Sequence, residues 1–352
     1  MAPPLPTDRP DRSAIGYSLA AAALFGASTP LAKYLLGAIN PWMLAGLLYL
    51  GSGVGLTVLR WLKPGTTARL TRAELSWLFG AILSGGVVAP VLLMYGLTHL
   101  PSSVAALLLN AEGVLTALLA WIAFREHFNG RVAIGMGFIC LGALLLSWPT
   151  GSGPGALIPS LTVVAACFAW AVDNNLTRKI ALADATRIAG LKGLVAGAVN
   201  LSLAFLLGNS LPPVTSSLLA MGTGLFTYGV SLVLFVLALR GLGAARTAAY
   251  FSLAPFVGAL IGILSGDPVT WHLAAAFALM ATGIWLHLTE AHSHEHVHES
   301  IEHDHTHVHD EHHQHAHDEA LVTDSPHKHR HRHTRLHHTH VHFPDSHHDH
   351  PH

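Results

Sequence analysis

Along most of the chain, apolar residues run on with neither a helical stripe nor a strand alternation, over 14–36, 41–60, 75–97, 102–124, 132–148, 157–178, 187–207, 215–239, 245–265 and 269–288. A helix needs about 20 such residues to cross a bilayer. Backbone polar groups cannot stay unpaired in hydrocarbon, so the pattern predicts ten transmembrane helices. The breaks are short and carry Pro, Gly or charge: Asn40-Pro41, Lys63-Pro64-Gly65, Asn129-Gly130, Pro149 to Gly155, Pro212-Pro213 and Gly266-Asp267-Pro268. The first stretch is too long for the about 7–15-residue core of a cleaved secretory signal, and further spans follow it. After Leu288 the pattern changes to histidine alternating with single other residues. The fold class expected is an all-α integral membrane protein with a disordered tail over 289–352.

Composition separates the same two parts. The chain is 51% apolar with 11% Asp, Glu, Lys and Arg, far below the roughly 25% charged residues of a soluble domain. Residues 290–352 hold 24 of the 28 histidines, 12 of the 20 acids and 4 of the 19 bases. The two cysteines, Cys140 and Cys167, sit in apolar runs and make no disulfide framework or zinc ribbon. Lys and Arg of the short connections fall on one side: Arg9 and Arg12, the Arg60–Arg72 loop, Arg125 and Arg131, Arg178 to Arg187, and Arg240 with Arg246. The alternate connections (98–101, 149–156, 208–214, 266–268) carry none. The positive-inside rule then puts both termini in the cytoplasm of a cell whose inner (plasma) membrane holds the chain.

The two halves repeat. Leu44-Ala45-Gly46-Leu47 with Leu50 and Gly53 returns as Ile188-Ala189-Gly190-Leu191 with Leu194 and Gly197. Phe25, Leu31 and Lys33 return as Trp170, Leu176 and Arg178, and Glu126 and Gly142 as Asp267 and Gly283. Five spans per copy is an odd number, so the second copy sits inverted. The expected organisation is a cytoplasmic N-terminus (1–13), a first five-helix repeat (14–148), a linker (149–156), a second repeat (157–288) and the tail. Inverted repeats build alternating-access transporters with a midplane site between the halves.

This pattern resembles the drug/metabolite transporter superfamily, in its ten-helix EamA form. The resemblance rests on Phe25-Gly26 through Lys33, Ala117 to Trp121 and on to Glu126, Ala248 through Phe256, and Gly266-Asp267 leading to Gly283. It implies a transporter rather than an enzyme, and covers roughly residues 14–288. Phe25 replaces the family's usual Trp. Gly113, preceded by Glu112, stands where the family carries Pro in span 4.

Ionised residues at membrane depth cost about 2.5–3.5 kcal/mol each, so those present are candidates for function. Glu112, near the middle of span 4, is expected to face a cavity and to exchange protons or hold a cation. Thr116 shares its face. Asn110, about 200° away on a regular helix, shares it only if Gly113 breaks the helix. Asp173 and Asn174 toward the end of span 6 are candidates for a gate or cation path. Tyr250 and Ser252 precede Pro255, which frees a backbone carbonyl as a candidate ligand. Lys33 and Lys192 read first as snorkelling to the interface. Either one facing the cavity instead favours a carboxylate-bearing substrate.

Neutral imidazole suits Ni, Co or Zn. The alternating histidines His292, His294, His296 and His298, then His303, His305, His307 and His309, then His327, His329, His331 and His333 are therefore expected to capture metal. A solvating or pH-sensing tail is the competing reading, since imidazole titrates near about 6.5. Together these features point to a proton-coupled secondary exporter of a divalent transition metal, similar to superfamily members associated with nickel and cobalt resistance. No resident cofactor is expected, and no nucleotide-binding loop of the G-x-x-x-x-G-K-[ST] type occurs. The alternatives are an exporter of amino acids or small metabolites with a metal-responsive tail, and a membrane-tethered metal store or sensor. Partners expected are the lipid bilayer, metal ions or a small-molecule substrate, and not nucleic acid; a homodimer is compatible with the repeat.

Overall fold

The computed structural model describes residues 12–62, 71–124, 130–148, 157–180 and 185–289, with 292–298, 302–307, 327–332 and 336–342 in the histidine-rich segment. Residues 1–11 and the linker 149–156 lie outside the described residues. The first repeat comprises α1 (Arg12–Leu35), α2 (Pro41–Leu62), α3 (Arg72–Ala81), a π-helical segment (Ile82–Val88), α4 (Ala89–His99), α5 (Ser102–Leu108), α6 (Ala111–Phe124) and α7 (Gly130–Ser147). The second comprises α8 (Leu157–Arg178), α9 (Ala185–Leu206), α10 (Val214–Gly224), a π-helical segment (Leu225–Val230), α11 (Ser231–Phe251), α12 (Ala254–Leu264) and α13 (Trp271–Leu288). Nine helices among the described residues are long and apolar enough to cross a membrane. The tenth expected span is α13, whose 18 residues reach about 27 Å at 1.5 Å per residue. Trp61, Trp148, Trp271 and Trp285 are exposed at or near helix ends, where membrane-interface aromatics belong.

Periodicity read the fourth and ninth spans as single helices, and both are broken. Span four divides at Leu109–Asn110 into α5 and α6, and span nine at Ser252–Leu253 into α11 and α12. A polar side chain patches each break: Asn110 Nδ2 donates to Leu107 O at 2.9 Å, and Ser252 Oγ donates to Ala249 O at 2.7 Å. Gly113 is not the breaking residue; it lies inside α6. Pro255 opens α12, where its missing N–H costs no bond.

Spans eight and nine, Val214–Leu242 and Arg246–Leu264, meet within α11, and the chain reverses there. The Phe235 and Phe251 rings are 4.9 Å apart, whereas a straight helix would separate them by about 24 Å. Ser231 donates to Ala21 O at 2.9 Å and Ser18 donates to Thr247 O at 3.1 Å, so both ends of α11 meet one turn of α1.

At the pseudo-two-fold axis, α2 packs on α9, its own repeat mate. A Cβ on Gly53 would meet the backbone of Gly193 and Leu194, and one on Gly197 would meet the backbone of Leu50. Gly53 and Gly197 are repeat mates, as are Leu50 and Leu194, so each contact is the other's symmetry copy. Gly53→Leu is expected to leave no folded protein in detergent, judged by size-exclusion chromatography. Gly113→Ala, where an added Cβ meets nothing within 4 Å, is expected to behave as the parent.

The segment from Glu290 forms a separate unit. Four short stretches within it run as strands, β1 (His292–His298), β2 (Glu302–His307), β3 (His327–Arg332) and β4 (Leu336–His342). β1 pairs antiparallel with β4, and β2 with β3.

Candidate functional site

The two repeats enclose a cavity of about 310 Å³. One wall is aromatic. Tyr228, from the second π-helical segment, stands between Phe25 of α1 and Tyr49 of α2, with ring centroids 6.0 and 5.8 Å away. Phe25 continues to Phe251 at 5.4 Å, and Phe251 to Phe235. All five line the cavity, together with Trp170 of α8.

The polar wall comes from α6, α8 and α9. Glu112, in the first turn of α6, is half-buried and lines the cavity. Asn174 Nδ2 donates to Glu112 Oε1 at 2.9 Å and to Thr116 Oγ1 at 3.4 Å. Asn175 Nδ2 donates to the Thr116 carbonyl at 3.2 Å, so neighbouring amides of α8 hold α6 in place. One residue before this pair, Asp173 is 3% exposed and forms an ion pair with Lys192 of α9. Thr177 Oγ1 donates to Asp173 Oδ1 at 3.0 Å.

The π-helical segment Ile82–Val88 makes room for this pair. A Cβ on Gly85 would occupy the space of the Asp173 carboxylate. The Gly85 carbonyl accepts from Tyr49 Oη at 2.7 Å and from Trp170 Nε1 at 2.9 Å. The segment thus binds the aromatic wall while seating the acid of the polar one.

Of the residues singled out in the sequence, Glu112, Asp173 and Asn174 line the cavity, and Thr116 stands behind them as a partner of Asn174. Four others go elsewhere. Asn110 faces away from Glu112, with Nδ2 3.7 Å from Met280 Sδ of α13, because the break precedes Glu112 rather than following it. Ser252 is spent on its local carbonyl, and Phe251, not Tyr250, reaches the cavity. Lys33 donates to Leu97 O and Thr98 O at 2.7 and 3.2 Å, closing the end of α4. Lys192, read first as snorkelling, lines the cavity instead. Residue-by-residue reading also passed over Tyr49, Trp170 and Tyr228. Phe25 and Trp170 were visible as a repeat-related aromatic pair, the signal that pointed toward them.

Among the described residues no group of three or more His, Cys, Asp and Glu is placed to hold a metal ion. Of the tail candidates, His292, His294, His296 and His298 lie on β1, His303, His305 and His307 on β2, and His327, His329 and His331 on β3. His309 and His333 lie outside the described residues.

The model of the EamA-like transporter family matches residues 12–148 and 157–289. An uncharacterized transporter of Methanothermobacter thermautotrophicus is 28% identical over 287 residues, covering 76% of this chain and 84% of that one. The uncharacterized transporter YyaM of Bacillus subtilis is 24% identical over 283 residues, covering 77% of this chain and 90% of its own length. A protein crystal structure superposes with a TM-score of 0.59 at 20% identity, over 78% of this chain and 95% of its own, and so shares the fold.

Proposed function

The chain belongs to the EamA-like transporter family, and from that premise we propose that it is a secondary-active exporter of amino acids or closely related small metabolites. The observation that carries this reading is the two-faced cavity. Its volume of about 310 Å³ and its aromatic wall suit an organic solute rather than a bare ion. Glu112 is placed to receive an ammonium group, and Lys192 to receive a carboxylate, with Asp173 exchanging partners as it does so. Tyr228, Phe25 and Tyr49 offer ring faces to a side chain or cation. Lys192 facing the cavity supports a carboxylate-bearing substrate over a metal.

Loading from the cytoplasm is supported by where the cavity lies. α8 contributes Trp170, Asp173 and Asn174 from its second half, and α9 contributes Ala189, Lys192 and Gly193 from its first half. Both stretches adjoin the connection flanked by Arg178, Lys179 and Arg187, the side assigned to the cytoplasm. Glu112 is the group we assign to proton exchange.

Export of a divalent transition metal is the second reading, favoured by the 24 histidines of residues 290–352. In the first reading that segment buffers or senses Ni, Co or Zn without delivering it to the cavity.

Thermal stabilisation of the purified protein by individual amino acids and by Ni, Co and Zn selects among these readings, with and without residues 290–352. The metabolite exporter is expected to be stabilised by an amino acid or related amine in both forms, and by metal only in the full chain. Stabilisation by metal in the truncated form, with none by any organic solute, would overturn it in favour of metal export. A store predicts metal binding by the full chain and no ligand at all for the truncated one.

A further inference from the structure

On the face that carries the 98–101 and 266–268 connections, a single carboxylate joins the two repeats. Asp267, of the second repeat, accepts from Ser102 Oγ at 2.8 Å and from the Ser103 backbone N–H at 2.7 Å, both in the first repeat. Its own N–H donates to Gly262 O at 3.0 Å, which ties it to the end of α12. Lys33 holds the carbonyls of Leu97 and Thr98 just ahead of α5. Below the carboxylate, α12 lies against α5 and α1 with almost no side chain between them. A Cβ on Gly258 would meet the Gly26 carbonyl and the Ala106 methyl, and one on Gly262 would meet Ser102, Ser103 and Asp267 itself.

This contact closes one end of the molecule. The cavity is lined by Leu109, just past the end of α5, and by Ala189, Lys192 and Gly193 of α9, the helix that follows the 181–184 connection. The joint is also not bonded to its maximum. Ser103 Oγ is buried within it and has no hydrogen-bond partner among the described residues, which makes the closed arrangement less stable than a fully satisfied one. A seam that is tight, small-sided and incompletely bonded suits a contact that forms and breaks in each cycle. Inverted repeats exchange the face on which they are closed, so such a contact must release whenever the other face closes.

We propose that Asp267 is the latch of a gate made by α5 and α12, holding the cavity shut toward the 266–268 connection and releasing each time solute leaves on that side. The inference goes beyond the proposed function, because it holds whatever the solute is.

The test needs no known substrate. In a Cys140→Ala, Cys167→Ala background, Ser52→Cys places a reporter thiol on the cavity wall. Membrane vesicles of both orientations are then treated with a membrane-impermeant maleimide. With Asp267 present, labelling is expected from the face of the 181–184 connection and not from the opposite face. Asp267→Asn is expected to raise labelling from the 266–268 face at least about tenfold, the shift that loss of one charge-assisted bond produces. Unchanged labelling from that face in a folded Asp267→Asn protein would overturn the proposal. A second arm does not depend on that variant folding. Ser102→Ala removes the 2.8 Å donor to Asp267 and adds no bulk to the seam, and is expected to raise labelling from the 266–268 face while leaving the other face reactive. No rise in labelling from the 266–268 face in a folded Ser102→Ala protein would equally defeat it.

Discussion

Glu112→Gln is expected to insert and fold as the parent does and to transport at least about tenfold more slowly, the effect of losing one charge-to-charge contact at membrane depth. The substitution keeps the shape of the side chain, and a glutamine oxygen still accepts from Asn174 Nδ2, now 2.9 Å from Glu112 Oε1. The hydrogen bond between α6 and α8 therefore survives, and with it the local fold. What disappears is the negative charge facing an aromatic-walled cavity, where water screens it less than at the surface. A cationic group on the solute loses its counter-charge, and a proton has no carboxylate to occupy. Counterflow uptake into proteoliposomes, using the solute identified by thermal stabilisation, measures the rate. Size-exclusion chromatography checks the fold. Parental uptake by a well-folded Glu112→Gln protein would remove Glu112 from the mechanism. Asn110→Ala is the matched control: its amide points to Leu107 O and Met280 Sδ, so uptake is expected to stay within about twofold.

Lys192→Met is expected to cost about 3–5 kcal/mol of stability, because it strands the Asp173 carboxylate in a site too dry to hold an unpaired charge. Asp173 is 3% exposed and retains only Thr177 Oγ1 as a side-chain donor once Lys192 is gone. A Cβ on Gly85 would overlap the carboxylate, so Asp173 is seated there only because residue 85 is glycine. Removing both charges relieves the penalty, so Asp173→Asn with Lys192→Met is expected to recover most of the lost stability while failing to transport. A thermal-melting double-mutant cycle in detergent measures the coupling. A double variant no more stable than Lys192→Met alone would show that Asp173 is not the group left stranded. Recovered stability without recovered transport separates the pair's role in the fold from its role toward solute.

Much of this architecture is written in the chain in ways a reader can follow. The long apolar runs forced helices, since no other local structure pairs its backbone in hydrocarbon. The matching of Leu50 and Gly53 with Leu194 and Gly197 announced an inverted repeat, and the glycines then meet across the axis as their symmetry requires. Glu112 drew attention because an acid at that depth needs a reason. Less legible were the interruptions. Asn110 and Ser252 patch their breaks by bonding the carbonyls of Leu107 and Ala249, and a polar residue in a span gives no sign whether it will bond back to its own helix or face a partner. The chain breaks before Glu112 and not at Gly113, so nothing brings Asn110 round to the side of Glu112.

Lys192 marks the boundary most sharply. From sequence it sits near a helix end, where a lysine can extend to water, and nothing local distinguishes that fate from an ion pair with a residue 19 positions earlier. The same holds for the aromatic wall, which draws on α1, α2, α8, α11 and the second π-helical segment, and for Asp267, whose partners are 164 and 165 residues away. Local patterning is enforced by the solvent, here the bilayer, and so can be read one segment at a time. Which polar group meets which is decided when the repeats close on each other, because only the packed helices determine which groups lose access to water and must find a partner within the protein.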